Sequence, residues 1–272
     1  MQDFSTSPLE MVKSLWRNRT LLNALIRRDF IGRYRGSVLG ILWSFFNPVL
    51  MLVVYTFVFG VIFKARWNTG SDAKTEFALV LFSGLLVFNL FSECVTRAPT
   101  LILANTNYVK KVVFPLEILP WVSLGSSLLH ALISFGVWLV FYGLFLGIPP
   151  VTIFWLPMVL MPLIALTMGL GWFFASLGVY LRDISQVISL LTNMLMFLSP
   201  IFYPMSSLPE EYQGLFRLNP ITPSVEMVRD VLIWGKHPDW PTFQLSLAVS
   251  LVIFFLGFAW FQKTRKGFAD VL

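Results

Sequence analysis

The chain has 272 residues, of which 57% are apolar and only 12% charged, about half the charged share of an ordinary soluble domain. Too little polar material remains to coat a soluble globule, and the single cysteine, Cys94, admits neither an internal disulfide nor a cysteine-based zinc cage. The formal charge of +6 gathers beside the ends of apolar runs, as membrane topology requires, and does not indicate a nucleic-acid partner.

An all-α polytopic membrane protein is what remains. In chain order, the first 35 residues carry seven basic and three acidic side chains with no central apolar run, so they do not read as a cleavable signal peptide. Residues 8–35 read as an amphipathic helix lying in the membrane interface. Ser7 is its N-cap, Pro8 its first position, and Glu10 completes a Ser-x-x-Glu capping box. Leu9, Val12, Trp16, Leu22, Ile26 and Phe30 recur at helical spacing, and Asn18-Arg19-Thr20 is the place to break it in two.

Six apolar runs follow, at 38–63, 77–95, 116–146, 153–180, 187–202 and 243–261. A helix needs about 20 residues to cross about 30 Å of hydrocarbon, so six transmembrane helices are predicted, the fifth of them short. Pro48 is the only breaker in the first run, and Arg182-Asp183 stops the fourth. Gly36-x3-Gly40 and Gly143-x3-Gly147 offer small-residue pairs for close packing. The first connection, 98–108, reads as a short surface helix started by Pro99, either a solvated loop or a docking knob. Between the last two runs, 208–218 and 224–234 are each too short to span. They read as two short helices re-entering the outer leaflet, because irregular backbone at that depth must be buried in protein or line water.

An even number of spans puts both termini on one side, and fourteen of the 20 Lys and Arg lie on that side. Both termini are therefore expected in the cytoplasm. A search for chemistry is negative. No Gly-x4-Gly-Lys-Ser/Thr loop is present, His130 and His237 have no metal-ligand spacing, and no catalytic residue or metal site is expected. Glu93 and Glu117 read as helix-end ion pairs and His130 as a hydrogen-bonded structural residue. With Thr192 and Asn193 as the exceptions, mid-span positions are almost purely apolar, which argues against ion-coupled transport.

The stretch Arg28-Asp29-Phe30 through Arg33-Tyr34-Arg35-Gly36-Ser37-Val38-Leu39-Gly40, then Leu42-Trp43-Ser44 and Asn47-Pro48, resembles the opening of the polysaccharide-exporting type 2 ABC transporter permeases. Further matches follow in order at family-like spacing: Ala104-Asn105, Val109-Lys110-Lys111-Val112-Val113-Phe114-Pro115-Leu116-Glu117, Leu181-Arg182-Asp183-Ile184, Ser199-Pro200-Ile201-Phe202-Tyr203-Pro204, and Asn219-Pro220-Ile221-Thr222-Pro223 with Arg229. The likeness is strongest to the permeases exporting lipid-linked O-antigen. Capsule and teichoic acid exporters are near relatives, and drug or lipid exporters are the wider superfamily.

The resemblance implies a homodimer in the bacterial inner membrane, each copy bearing a separate ABC ATPase subunit that holds the ATP and Mg, with no cofactor bound by this chain. It implies export of polyprenyl-diphosphate-linked polysaccharide. Residues 8–35 match the family's interface helix and 98–108 its coupling helix, with Asn105, Asn107 and Tyr108 as ATPase contacts. Residues 208–234 match its paired periplasmic gate helices. At the junction of interface helix and first span, Arg33, Tyr34 and Arg35 are the candidates for the lipid diphosphate, since guanidinium forks suit it; positive-inside anchoring is the other explanation. Trp43, Tyr55, Phe57, Phe197 and Phe202 are candidates to line the path of the sugar chain, or else lipid-facing bulk. A channel or scaffold without pumping is the rival class.

Overall fold

Among the residues described by the computed structural model, 7–62, 74–109 and 114–272, the chain is helical and contains no strand. Phe63, the expected end of the first span, lies outside them, as do Lys64, Arg66 and Lys110-Lys111-Val112-Val113. The amphipathic stretch is two helices, α1 (Pro8–Arg17) and α2 (Arg19–Gly32). They part at Asn18, whose Nδ2 donates to the Ser14 carbonyl at 2.8 Å. A side chain that bonds nearby backbone competes with helix continuation, so the break falls there.

After a 3-10 turn at Gly40–Leu42 come α3 (Trp43–Tyr55), a π-helical turn (Thr56–Ile62), α4 (Lys74–Leu101) and α5 (Thr106–Val109). Next are α6 (Leu119–Phe145), α7 (Leu156–Val159), α8 (Met161–Tyr180) and α9 (Ile184–Phe197). The chain ends with α10 (Glu210–Leu218), α11 (Thr222–Leu232), α12 (Trp240–Thr264) and α13 (Phe268–Val271).

Five helical stretches among the described residues are long and apolar enough to cross a membrane: Gly40–Phe59, Glu76–Leu101, Leu116–Phe145, Val151–Tyr180 and Trp240–Val271. The expected fifth of six spans, 187–202, is α9, and its 14 residues rise only about 21 Å. By length alone, five crossings are shown and a sixth is not. The first connection also differs from expectation. Pro99 sits inside the last turns of α4, and a 3-10 turn at Leu103–Asn105 leads into the four-residue α5, so 98–108 is no separate helix.

α4 is the centre of the bundle. Its most apolar window is 78% buried, against 11% for the first span, so α4 is surrounded by protein while α3 keeps an open apolar face. α6 and α8 pack on α4, α12 lies along α8, and α2 lies across α6. Leu25 of α2 is buried there with Ile118 and Val122. The α8–α12 crossing is possible because Gly169 and Gly257 face each other, and a Cβ on either would run into the other helix's backbone. The Gly-x3-Gly pairs singled out above meet no other described part of this chain. Gly36, Gly40 and Gly147 take positive φ angles of 88°, 52° and 89° in turns, and a Cβ at any of them or at Gly143 would meet nothing within 4 Å.

Fully buried indoles are each satisfied by a carbonyl. Trp138 Nε1 donates to Leu79 O at 3.1 Å and Trp172 Nε1 to Glu117 O at 3.0 Å. Glu117 also joins distant parts of the chain, taking Ser14 Oγ at 2.8 Å on one oxygen and Arg265 Nη1 at 2.5 Å on the other. Beyond α9, the pair α10 and α11 is anchored by buried Arg229. Its guanidinium donates to Val80 O at 3.3 Å, to Ile201 O at 2.7 Å and to Pro200 O. Gly84 leaves the room, since a Cβ there would sit 2.8 Å from Arg229 Nη2.

Candidate functional site

A concentration of polar side chains inside the apolar bundle lines a cavity of about 520 Å³ between α3, α4 and α6, closed at one end by the turn after α2. Asn47 and Tyr55 come from α3, Asn89 and Glu93 from α4, and His130 and Ser134 from α6. The fold aims each of them by simple spacing. Residues four apart share a helix face, so Asn89 and Glu93 point the same way, as do His130 and Ser134. Pro48, also in the wall, has no N–H and so removes the helical bond to the Ser44 carbonyl.

Arg33 and Tyr34 close the cavity. Arg33 Nη1 donates to His130 Nδ1 at 2.9 Å and is ion-paired to Glu93, while Nη2 reaches Asp29 at 3.4 Å. A guanidinium only donates, so His130 Nδ1 carries no hydrogen; Nε2 then carries it and donates to the Tyr34 oxygen at 2.8 Å. Phe30 packs on the same imidazole with ring centres 4.9 Å apart.

Asp29 faces away from the cavity and is gripped by Arg97 through two bonds of 2.9 and 3.1 Å. Burial alone pushes the Asp29 carboxyl up, but the bonds and charge of Arg97, helped by Ser126 and Arg33, outweigh it and hold the group below its ordinary value. Burial and then the like charge of Arg97 lower Arg33, although Asp29 opposes them. A guanidinium starts so far above neutrality that Arg33 stays charged.

Arg33 and Arg35 do not converge. Arg35 lies on the other side of Tyr34, in an open groove of about 720 Å³ lined also by Arg27 and Arg28, and no acidic residue among the described ones lines it. The three-residue diphosphate grip expected at Arg33, Tyr34 and Arg35 is thus split between two chambers that share Tyr34 as a wall.

The candidate coupling residues are divided too. Asn107 is exposed, whereas Asn105 Nδ2 donates to Leu101 O at 2.8 Å. Tyr108 accepts a 2.7 Å bond from Arg28 and stacks flat on Phe114 with ring centres 4.1 Å apart.

Nor do the five candidate channel aromatics form one surface. Tyr55 lines the polar cavity, and Phe57 lines a separate apolar pocket of about 320 Å³ with Phe141 and Phe145. Trp43 is exposed beside neither group. Phe197 and Phe202 stack at 5.7 Å, and Phe202 continues onto Phe59 at 5.8 Å. Phe59 stands 6.3 Å from Tyr55, so the row reaches the cavity wall through a residue that sequence reasoning had not selected.

Sequence reasoning also missed Asn47, Asn89 and Ser134. The signal was available in the four-residue spacing of Asn89 with Glu93 and of His130 with Ser134, each pair set in an otherwise apolar run.

The chain is 28% identical over 264 residues to the O-antigen export system permease protein RfbA of Myxococcus xanthus, covering 96% of this chain and 99% of that protein. It is 25% identical to the O-antigen export system permease protein RfbA of Klebsiella pneumoniae, covering 93% and 95%. It is also 25% identical to the polysialic acid transport protein KpsM of Escherichia coli, covering 92% and 95%. The family model described as ABC-2 type transporter matches residues 20–233, from α2 through α11 with the cavity and the groove inside it, and the chain belongs to that family.

Proposed function

We propose that this chain is the membrane subunit of an exporter that carries polyprenyl-diphosphate-linked polysaccharide of the O-antigen kind across the bacterial inner membrane, driven by ATP hydrolysis in a separate ABC subunit. The observation that carries the reading is the end-to-end similarity to O-antigen export permeases, 96% of this chain against 99% of the Myxococcus xanthus protein. Capsular polysaccharide is the second reading, favoured by the similarity to the polysialic acid transport protein over 92% of the chain.

In this reading two copies form the pathway, and the open apolar faces of α3 and α9 are available to line it or to meet the second copy. α9 supplies the sixth crossing with the turn that follows it. α10 and α11 re-enter the outer leaflet, and both termini lie in the cytoplasm with the first connection. The ATPase docks at the exposed side of that connection, around Ala104 and Asn107. Arg28–Tyr108 ties the last turn of α2 to the same connection and Asp29–Arg97 ties it to the end of α4, while Arg33 and Tyr34, just beyond that same end, close the cavity. A push at the docking face is thereby passed to the substrate chambers over about five residues at the end of α2, roughly 8 Å of helix rise.

Coexpression with its ABC ATPase and reconstitution into proteoliposomes tests the reading. Lipid-linked glycan should stimulate ATP hydrolysis several-fold while free glycan does not, and Asn107→Arg should abolish copurification of the ATPase. An intact complex whose hydrolysis ignores saturating lipid-linked glycan overturns the assignment.

A further inference from the structure

We propose that the two chambers on either side of Tyr34 divide one substrate head between them: the groove of Arg27, Arg28 and Arg35 takes the diphosphate, and the cavity between α3, α4 and α6 takes the neutral sugar unit attached to it. This rests on the polysaccharide-export reading and assigns each part of that substrate a place.

Charge separates the chambers. Around the cavity Arg33 and Arg97 are matched by Asp29 and Glu93, so the cluster is neutral as a whole. A dianion entering it would have to compete with Glu93 for Arg33 and lie beside that carboxylate, and separating a partly buried ion pair is costly. A neutral polyhydroxylated ring incurs neither penalty. The cavity offers it what such a ring needs. Asn47 and Asn89 each present both a donor and an acceptor, and Arg33 Nε is buried without a hydrogen-bond partner. Met51, Phe82 and Leu86 supply an apolar wall for the C–H face of a pyranose. Its volume of about 520 Å³ lies within the range of ordinary small-ligand sites.

The groove is the opposite. Three guanidinium groups line it with no carboxylate among the described residues, Arg27 and Arg35 are exposed, and Gly32 and Gly40 leave its floor open. Guanidinium forks match phosphate oxygens two at a time. Ile31 and Ile41 at its edge provide apolar surface for the first carbons of a prenyl chain. In a lipid-linked glycan the diphosphate and the first sugar are joined by one oxygen, and here the two chambers share one side chain as their wall.

The test measures binding of the full chain with its ATPase, in lipid nanodiscs, to polyprenyl diphosphate and to polyprenyl diphosphate bearing one N-acetylhexosamine. The parental complex should prefer the sugar-bearing lipid by about tenfold, the scale of two neutral hydrogen bonds. Replacing Asn47→Ala and Asn89→Ala together should erase that preference and leave affinity for the bare diphosphate unchanged. Ser134→Leu, which fills the cavity from α6, should do the same and guards against a folding defect in the double variant. Arg27→Ala with Arg35→Ala should weaken both lipids alike. A preference that survives the asparagine and Ser134 variants, or an arginine variant that weakens only the sugar-bearing lipid, overturns the division. Equal binding of both lipids by the parental complex removes the sugar chamber alone, whereas binding of neither removes the export reading as well.

Discussion

Arg33 and Arg35 are separated by one residue and have the same charge, yet they serve different surroundings. Arg33 is committed to Glu93, His130 and Asp29, whereas Arg35 faces an open basic groove. Positive-inside counting treats them alike, and their separate roles follow only from which way α2 is turned on α6. Asp29 sets that turn through Arg97. Its carboxyl is held below the ordinary value, so its contribution is complete above about pH 3.9 and is lost only as pH falls through the lower folded value. Spin labels at Asn23 and Ala104, both exposed, should therefore report one unchanging distance from pH 8 to pH 5 and a broadened one in stronger acid. Broadening already between pH 7 and pH 5 would remove Asp29 as the clasp. Asp29→Asn should broaden the distance at every pH.

At the scale of the helix, tight crossings are made where backbones touch. Gly257→Leu at the α8–α12 crossing must push two backbones apart, and overpacking of this kind costs about 1–3 kcal/mol or more. Gly143→Leu, with open space around its Cβ, should leave thermal stability in detergent unchanged while Gly257→Leu lowers it by several degrees. Similar losses in both variants would count against the crossing as the cause. The same contrast shows what a sequence can disclose. Long apolar runs are legible because hydrocarbon thickness sets their length, and α6, α8 and α12 were found from that alone. The partner of a glycine is not legible, since Gly169 and Gly257 are brought together only by folding. Helix ends were misjudged where a charge had a partner: Arg97 lies inside α4 because Asp29 neutralises it, although an isolated arginine reads as a stop. The cavity stayed hidden for a related reason, its asparagines standing on different helices, so that neither run by itself shows that they meet.

For the whole molecule, the burial of α4 and the exposure of α3 describe a chain with one sheltered and one open side. The positive-inside distribution commits to an orientation. Single cysteines at Gln213 in α10 and Glu226 in α11, the latter exposed, should label only from the periplasm in a Cys94→Ser background. Labelling of either by a reagent confined to the cytoplasm would mean that the spans are miscounted. The Arg229 clasp adds a dimension of time. Val80 is made 149 residues before the arginine that binds its carbonyl, and Ile201 is made 28 residues before it. Membrane insertion proceeds from the N-terminus, so α4 and the end of α9 enter without their shared fastener and are joined only when α11 arrives. Chains stalled on the ribosome before residue 229 should thus leave residues 198–204 open to protease, and chains stalled after α11 has emerged should protect them. The end of the bundle that Arg229 fastens, on this account, is the part of the molecule that is finished last.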